Sequence, residues 1–181
     1  PGGLRRHCGR TEIGRGNGSL GEQGGSQPAT MESLNGPVLV TGANGFVGTW
    51  LLKTLVAAGI PTWAAVRRMG SASIDGVSEV VFDLEDPSSM YAALDKSRPS
   101  GIVHLAGMAS PHISNQRPEA VYNVNFLGTQ RLLEACKVLG IKPRVLLVGS
   151  ATVYGKVQPE DLPLRESRQP RPADSYSLSK A

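Results

Sequence analysis

Tyr176 and Lys180 stand four residues apart, close to the end of the 181-residue chain. On a helix that spacing puts both side chains on one face. A phenol releases its proton only near pH ~10 and is a poor proton shuttle at neutral pH, but a lysine cation held beside it stabilises the phenolate. Ser150 precedes the pair, at the end of an apolar run, and adds a hydroxyl that can hydrogen-bond a reacting oxygen. Alone, a tyrosine-lysine pair is often a solvated helix face and a strand-ending serine a turn former. A glycine-rich segment far upstream gives the three their meaning.

The segment Thr41-Gly42-Ala43-Asn44-Gly45-Phe46-Val47-Gly48 repeats glycine every three residues between an apolar run, Pro37 to Val40, and a helix-like stretch. In that stretch Phe46, Val47, Trp50, Leu51, Leu55 and Val56 recur at helical spacing until Gly59 closes it. Such a turn binds a dinucleotide. Gly42 permits the tight turn, Gly45 admits the backbone to a pyrophosphate, Gly48 lets helix and strand pack closely, and the helix N-terminus offers free N–H groups. An NAD site usually ends its second strand on Asp or Glu, which accepts hydrogen bonds from the ribose hydroxyls. This chain has Val66-Arg67-Arg68 there. A guanidinium pairs with a 2′-phosphate that a carboxylate would repel, so NADP(H) is favoured and NAD(H) is the second choice.

The elements that must position these residues alternate short apolar runs with helical segments, the pattern of an α/β doubly wound parallel sheet. Strands are expected at 37–40, 62–66, 79–82, 102–105 and 145–148. Helices are expected at 46–56, at 87–94 behind an Asp86 N-cap with Pro87 at the first position, and at 118–136. The last of these should bury Val121, Val124, Leu132 and Leu133 and stop near Gly140. Residues 154–173, rich in proline and charge, read as a loop leading to a final helix that has barely begun at Ala181. Ser150 then falls at the carboxyl end of the fifth strand, where such sheets bind ligands. Residues 37–181 make one cofactor-binding domain, incomplete at its C-terminus and stopping before a substrate-binding domain. Residues 1–36 read as a disordered extension, since the first thirty hold nine of the 22 glycines and show no apolar periodicity.

Composition narrows the function classes. With 40% hydrophobic and 19% charged residues the chain is of ordinary globular make-up. Half of its net charge of +4 comes from Arg5, Arg6, Arg10 and Arg15 set against Glu12 and Glu22, leaving too little elsewhere to suggest nucleic acid. Cys8 and Cys136 lie far apart without metal-ligand neighbours, so no metal site or disulfide framework is expected and a reducing cytoplasm fits. No apolar run is long enough to span a bilayer.

From residue 37 to residue 181 the chain resembles the extended short-chain dehydrogenase/reductases. The glycine turn is matched, followed in order by Asp83-Leu84, His104-Leu105-Ala106-Gly107, Asn123-Val124-Asn125-Phe126-Leu127-Gly128-Thr129, Ser150 to Gly155, and Tyr176 to Lys180. The resemblance implies a Rossmann fold with the cofactor held by Gly42, Asn44, Gly45, Phe46, Val47, Gly48, Arg67, Asp83, Leu84, Leu105, Ala106 and Gly107, together with Tyr176 and Lys180. It further implies that Lys180 holds the nicotinamide ribose, that Tyr176 passes a proton to or from the substrate oxygen, and that Ser150 hydrogen-bonds that oxygen. Asn125, which could orient the site or cap a buried turn, stays outside this catalytic set.

Val153 to Val157 and Pro159 to Glu166 resemble the nucleotide-sugar branch, in particular the reductases of GDP-4-keto-6-deoxy-mannose. Dehydratases of that branch carry a glutamate two residues after the catalytic serine or threonine, to remove a proton beside the ketone. Thr152 stands there instead. Epimerases share the Ser150 to Gly155 wording but retain NAD and an acidic residue after the second strand. The order is therefore 4-keto reductase, 4-epimerase, 4,6-dehydratase. A reductase of small carbonyl compounds and a non-catalytic NADP(H)-binding regulator are the alternatives from other classes; Val153-Tyr154-Gly155 weighs against the first, the retained Tyr176 and Lys180 against the second. The resemblance implies a homodimer or higher homo-oligomer for the parent enzyme, and the fragment alone is expected to be inactive because its last helix should fray.

Overall fold

The computed structural model describes residues 36–109 and 116–181. The expectation of disorder over 1–36 therefore lies, but for Gly36, outside the described residues.

Five strands form one sheet: β1 (Val38–Thr41), β2 (Thr62–Val66), β3 (Val77–Val81), β4 (Gly101–His104) and β5 (Arg144–Leu147). All pair in parallel, in the order β3-β2-β1-β4-β5. The chain winds outward from β1 to β3, then crosses back to add β4 and β5 on the other side. The order reverses between β1 and β4, which opens a crevice at their carboxyl ends, as in other doubly wound sheets. The sheet is the expected one. The third strand starts two residues earlier than its apolar run suggests, because Val77 pairs with Thr62, and Phe82 lies just past the ladder with its N–H donated to Val66 O at 2.8 Å.

Side-chain alternation along β1 divides the core in two. Val38 and Val40 join Ala43, Ala64, Val66 and helix α1 (Phe46–Ala57) on one face, through Leu52 and Leu55. Leu39 joins Val80, Ile102, helix α2 (Pro87–Ser97) and Leu132 on the other. Burying a leucine of this kind contributes about 2 kcal/mol, so the central strand, buried at every position, anchors both layers. Asp86 caps α2 as expected, accepting from Ser88 N–H at 2.9 Å, and Pro87 follows it.

Two helices place their apolar residues in ways that spacing alone does not settle. In α1 the buried side is Gly48, Leu52 and Leu55, while Phe46, Val47 and Trp50 point to solvent, Phe46 being 84% exposed. Their helical recurrence is real, but it continues along an outer face over whose Trp50 ring Lys53 sits at 5.4 Å. The expected helix over 118–136 runs as α3 (Pro118–Tyr122), a π-helical turn (Asn123–Leu127) and α4 (Gly128–Val138). The wide turn adds a residue to the helical path and rotates α4 about its axis. Leu132, Ala135 and Cys136 then face the sheet, and Leu133 is 42% exposed rather than buried.

Helix α5 (Ser175–Lys180) is short but fastened. Asp174 accepts from Ser177 N–H at 2.7 Å while Ser177 Oγ accepts from Asp174 N–H at 3.1 Å, a reciprocal cap. The helix packs on α3, on the π turn and on a 3₁₀ turn at Ala151–Tyr154. These contacts oppose the fraying expected for so short an end. Within the expected loop a second 3₁₀ turn, Pro159–Asp161, is tied to Arg168 by an ion pair of 2.8 Å.

Candidate active site

The crevice is walled by the glycine turn. Gly42 has φ +66°, and a Cβ there would come within 2.8 Å of Ala106 N and 2.9 Å of the Leu105 carbonyl carbon. A Cβ on Gly48 would meet Gly42 O at 2.3 Å, so α1 can close on the turn only with glycine at this place. Gly45 is the N-cap of α1 and no side chain caps it. The first N–H groups of α1, carried by Phe46 and Val47, have no acceptor within the helix and are free for an anion. Phe46 and Val47 can therefore serve a cofactor through their backbone, with Asn44 exposed beside them. The uncapped N–H groups at the start of α1 fit a dinucleotide pyrophosphate.

The same end of the sheet carries Arg67 and Arg68, both exposed, just past β2. Neither forms an ion pair among the described residues. Past β3, Asp83 Oδ1 accepts from Glu85 N–H at 3.0 Å and so holds its own turn. Leu84 is buried against Gly128, where a Cβ would approach Leu84 Cβ to 2.9 Å. Arg131 donates to Leu84 O and to Asn123 Oδ1, and Asn123 donates to Glu85 Oε1, which ties this turn to the helix behind it.

At the end of β4, His104 is buried within a chain of hydrogen bonds whose direction can be worked out. Thr129 Oγ1 donates to Asn125 O at 2.6 Å, so its oxygen is left to accept from His104 Nε2–H at 3.1 Å. Nδ1 then carries no proton and accepts from Thr41 Oγ1–H at 2.8 Å, while Thr41 Oγ1 accepts from Ala106 N–H at 3.1 Å. The ring is neutral. Burial, and secondarily the Lys180 charge, push its pKa down to about 4.

Gly107, Asn125 and Lys180 converge beyond His104. A Cβ on Gly107 would lie 2.9 Å from Asn125 Oδ1 and 3.6 Å from Lys180 Nζ. Asn125 is buried in the π turn; its Oδ1 accepts from Met108 N–H at 2.8 Å and its Nδ2 donates to Met108 O and Ser179 Oγ, each at 3.0 Å. It joins the loop after β4 to α5. Lys180 Nζ donates to Val148 O at 3.2 Å, and burial lowers the pKa of its ammonium. Tyr176, partly exposed, lies one turn before Lys180 on α5.

Ser150 caps the 3₁₀ turn against which α5 packs. Its hydroxyl shares a 2.8 Å hydrogen bond with Thr152 Oγ1 and accepts from Thr152 N–H, so the elements meet while the serine's own bonds are local. Asn125 and the pair Thr41 and His104 are what reasoning from sequence undervalued. An asparagine inside an amphipathic helix, at a place that the period assigns to the buried face, and a histidine inside an apolar strand were the available signals.

Among the described residues no helix is long and apolar enough to cross a membrane, and no group of His, Cys, Asp or Glu is arranged to hold a metal ion.

Residues 38–181 match the model of the NAD dependent epimerase/dehydratase family. The chain is 35% identical over 145 residues to GDP-6-deoxy-D-talose 4-dehydrogenase of Aggregatibacter actinomycetemcomitans, covering 79% of this chain and 44% of that protein. It is 34% identical to GDP-6-deoxy-D-mannose reductase of Pseudomonas aeruginosa, covering 79% and 43%. Among solved structures, UDP-glucose 4-epimerase of Thermus thermophilus in complex with NAD matches with a TM-score of 0.72 at 33% identity, over 80% of this chain and 47% of that one. RMD from Pseudomonas aeruginosa complexed with NADPH matches with a TM-score of 0.66 at 32% identity, over 80% and 46%. The chain thus spans less than half the length of the relatives it matches. With its parallel sheet, its glycine turn and a family match that runs from β1 to the last residue, the chain belongs to the NAD-dependent epimerase/dehydratase family of extended short-chain dehydrogenase/reductases.

Proposed function

We propose that the full-length protein reduces a 4-keto-6-deoxy sugar carried on a nucleoside diphosphate, using NADPH. The observation that carries the proposal is the convergence of Lys180, Asn125 and Gly107 at the carboxyl ends of β4 and β5, beside the glycine turn. Gly42, Asn44, Gly45, Phe46, Val47 and Gly48 would take the pyrophosphate, Arg67 the 2′-phosphate, and Asp83 and Leu84 the adenine end. Leu105, Ala106 and Gly107 would lie beneath the cofactor.

When bound, the nicotinamide ring supplies the hydride. The protein supplies the proton and the geometry. Tyr176 gives its phenolic proton to the sugar oxygen, Ser150 hydrogen-bonds that oxygen, and Lys180 stabilises the phenolate left behind and binds the nicotinamide ribose. Burial makes the Lys180 ammonium easier to deprotonate, and its bond to Val148 O favours the charged form the phenolate needs. Asn125 holds α5 in place for both residues.

Thr152 supports reduction over elimination. Its hydroxyl is bonded to Ser150, and it offers no base where a dehydratase needs one. The likeness to a 4-epimerase in complex with NAD favours a second reading, 4-epimerisation with a retained cofactor. Arg67 and Arg68, standing where an NAD site has its carboxylate, weigh against it. The likeness to a GDP-6-deoxy-D-mannose reductase supports GDP as the nucleotide. The test is NADPH consumption by the full-length protein that depends on GDP-4-keto-6-deoxy-mannose; consumption without sugar dependence, or none, rejects the proposal.

A further inference from the structure

β3 is the edge strand of the sheet, and Glu79 lies in it opposite Ala64. Its carboxylate reaches across to the loop that follows β2. Oε2 accepts from Gly70 N–H, and Oε1 accepts from Ala72 N–H at 2.8 Å. Backbone bonds from Gly70 and Ala72, and a weaker one from Ser73, hold the Glu79 carboxyl below its usual range. The loop also bonds to itself: Ser71 Oγ donates to Arg68 O at 2.6 Å and Ser73 Oγ to Gly70 O at 2.8 Å. Beyond it, Ala72 and Ile74 pack on the core beneath α1.

Gly70 has φ +79°, and successive N–H groups near such a residue form a concave receptor for an anion. Here the receptor is filled by a side chain of the protein itself. A phosphate arriving at the end of β2 therefore finds the loop's N–H groups engaged, and its charge is left to the guanidiniums of Arg67 and Arg68. Long arginine side chains on a loose loop lose much conformational freedom on binding, whereas a loop already fastened loses less.

We infer that Glu79 is a positioning residue for cofactor choice: by clamping the loop from Arg68 to Ser73 it holds Arg67 and Arg68 ready for a phosphate on the adenosine 2′ oxygen. The inference rests on the NADP(H) reading above. It also carries a sign. If Glu79 were only a negative charge near the phosphate, removing that charge would tighten NADPH binding; as a clamp, its removal loosens binding.

The test measures NADPH and NADH dissociation constants by calorimetry on the full-length protein, in the wild type, in Glu79→Gln and Glu79→Ala, and in the double variant Arg67→Ala/Arg68→Ala. Hydrogen exchange at the Gly70 and Ala72 amides is followed in each. Glu79→Ala should speed exchange at both amides and weaken NADPH roughly tenfold while NADH changes less than about twofold, with Glu79→Gln intermediate. Unchanged or tighter NADPH binding in both Glu79 variants, or equal weakening of both cofactors, overturns the inference. An unchanged preference in the double arginine variant overturns the cofactor reading itself. Lost preference there, with preference intact in both Glu79 variants, overturns only the role of Glu79.

Discussion

Thr41 Oγ1 and His104 Nδ1 lie 2.8 Å apart, a side-chain bond between residues paired in register on β1 and β4, where the order of the sheet reverses. Through His104 Nε2 the same ring reaches Thr129, and through Thr129 the carbonyl of Asn125. A neutral imidazole therefore spans the base of the crevice, from the glycine turn to the helix that holds α5.

The histidine should stay neutral to about pH 4. Because its folded pKa lies below the unfolded value of 6.5, the unfolded chain binds the proton first, and stability is lost as pH falls from about 6.5 toward about 4. The wild type should lose about 3 kcal/mol over that window relative to His104→Gln, in urea unfolding at a series of pH values. A ring titrating near 6.5 by NMR contradicts the assignment.

Gly48→Ala should weaken NADPH binding at least about tenfold and cost about 1–3 kcal/mol of stability, because the added methyl has to displace Gly42 O from 2.3 Å. Calorimetry and a urea midpoint check the two effects. Unaltered affinity means that the turn does not hold the cofactor.

Asn125→Ala should cost about 1–3 kcal/mol, since it leaves the partly buried Met108 N–H and Met108 O without their partner and takes a donor from Ser179 Oγ, which keeps its own bond to Tyr176 O. Asn125→Asp keeps the shape but turns an acceptor toward Met108 O, so it should be no better tolerated. Equal wild-type stability in both variants would show that these bonds are not formed.

In the full-length protein, Tyr176→Phe should lower turnover by about two to four orders of magnitude with NADPH affinity nearly unchanged. The phenol is removed and the ring and its packing are kept. Turnover near that of the wild type assigns the proton to another group.

The parallel sheet and the glycine turn were legible because their signals are local: apolar runs of strand length, glycines where a Cβ has no room, and an Asp-Pro helix start. The π turn was not legible. Asn123 to Leu127 is as compatible with an ordinary helix in sequence as with a wide turn, and only the bonds of Asn125 to Met108 and Ser179 across the fold select the latter. Which face of α1 is buried was not legible for a related reason. Phe46, Val47 and Trp50 satisfy helical spacing, but burial is decided by where Gly48 lets the helix touch the turn. Ser150, Tyr176 and Lys180 were singled out by type and order, whereas the bonds of His104 required its partners on two other elements to be known.

Transfer of label from NADPH deuterated at the hydride position, to the sugar of GDP-4-keto-6-deoxy-mannose by the full-length protein, tests the central claim most directly. The account predicts one deuterium at C4 of the product for each NADPH oxidised, read by mass spectrometry and NMR. A product without deuterium, or a C4 epimer formed with no net loss of NADPH, would contradict it.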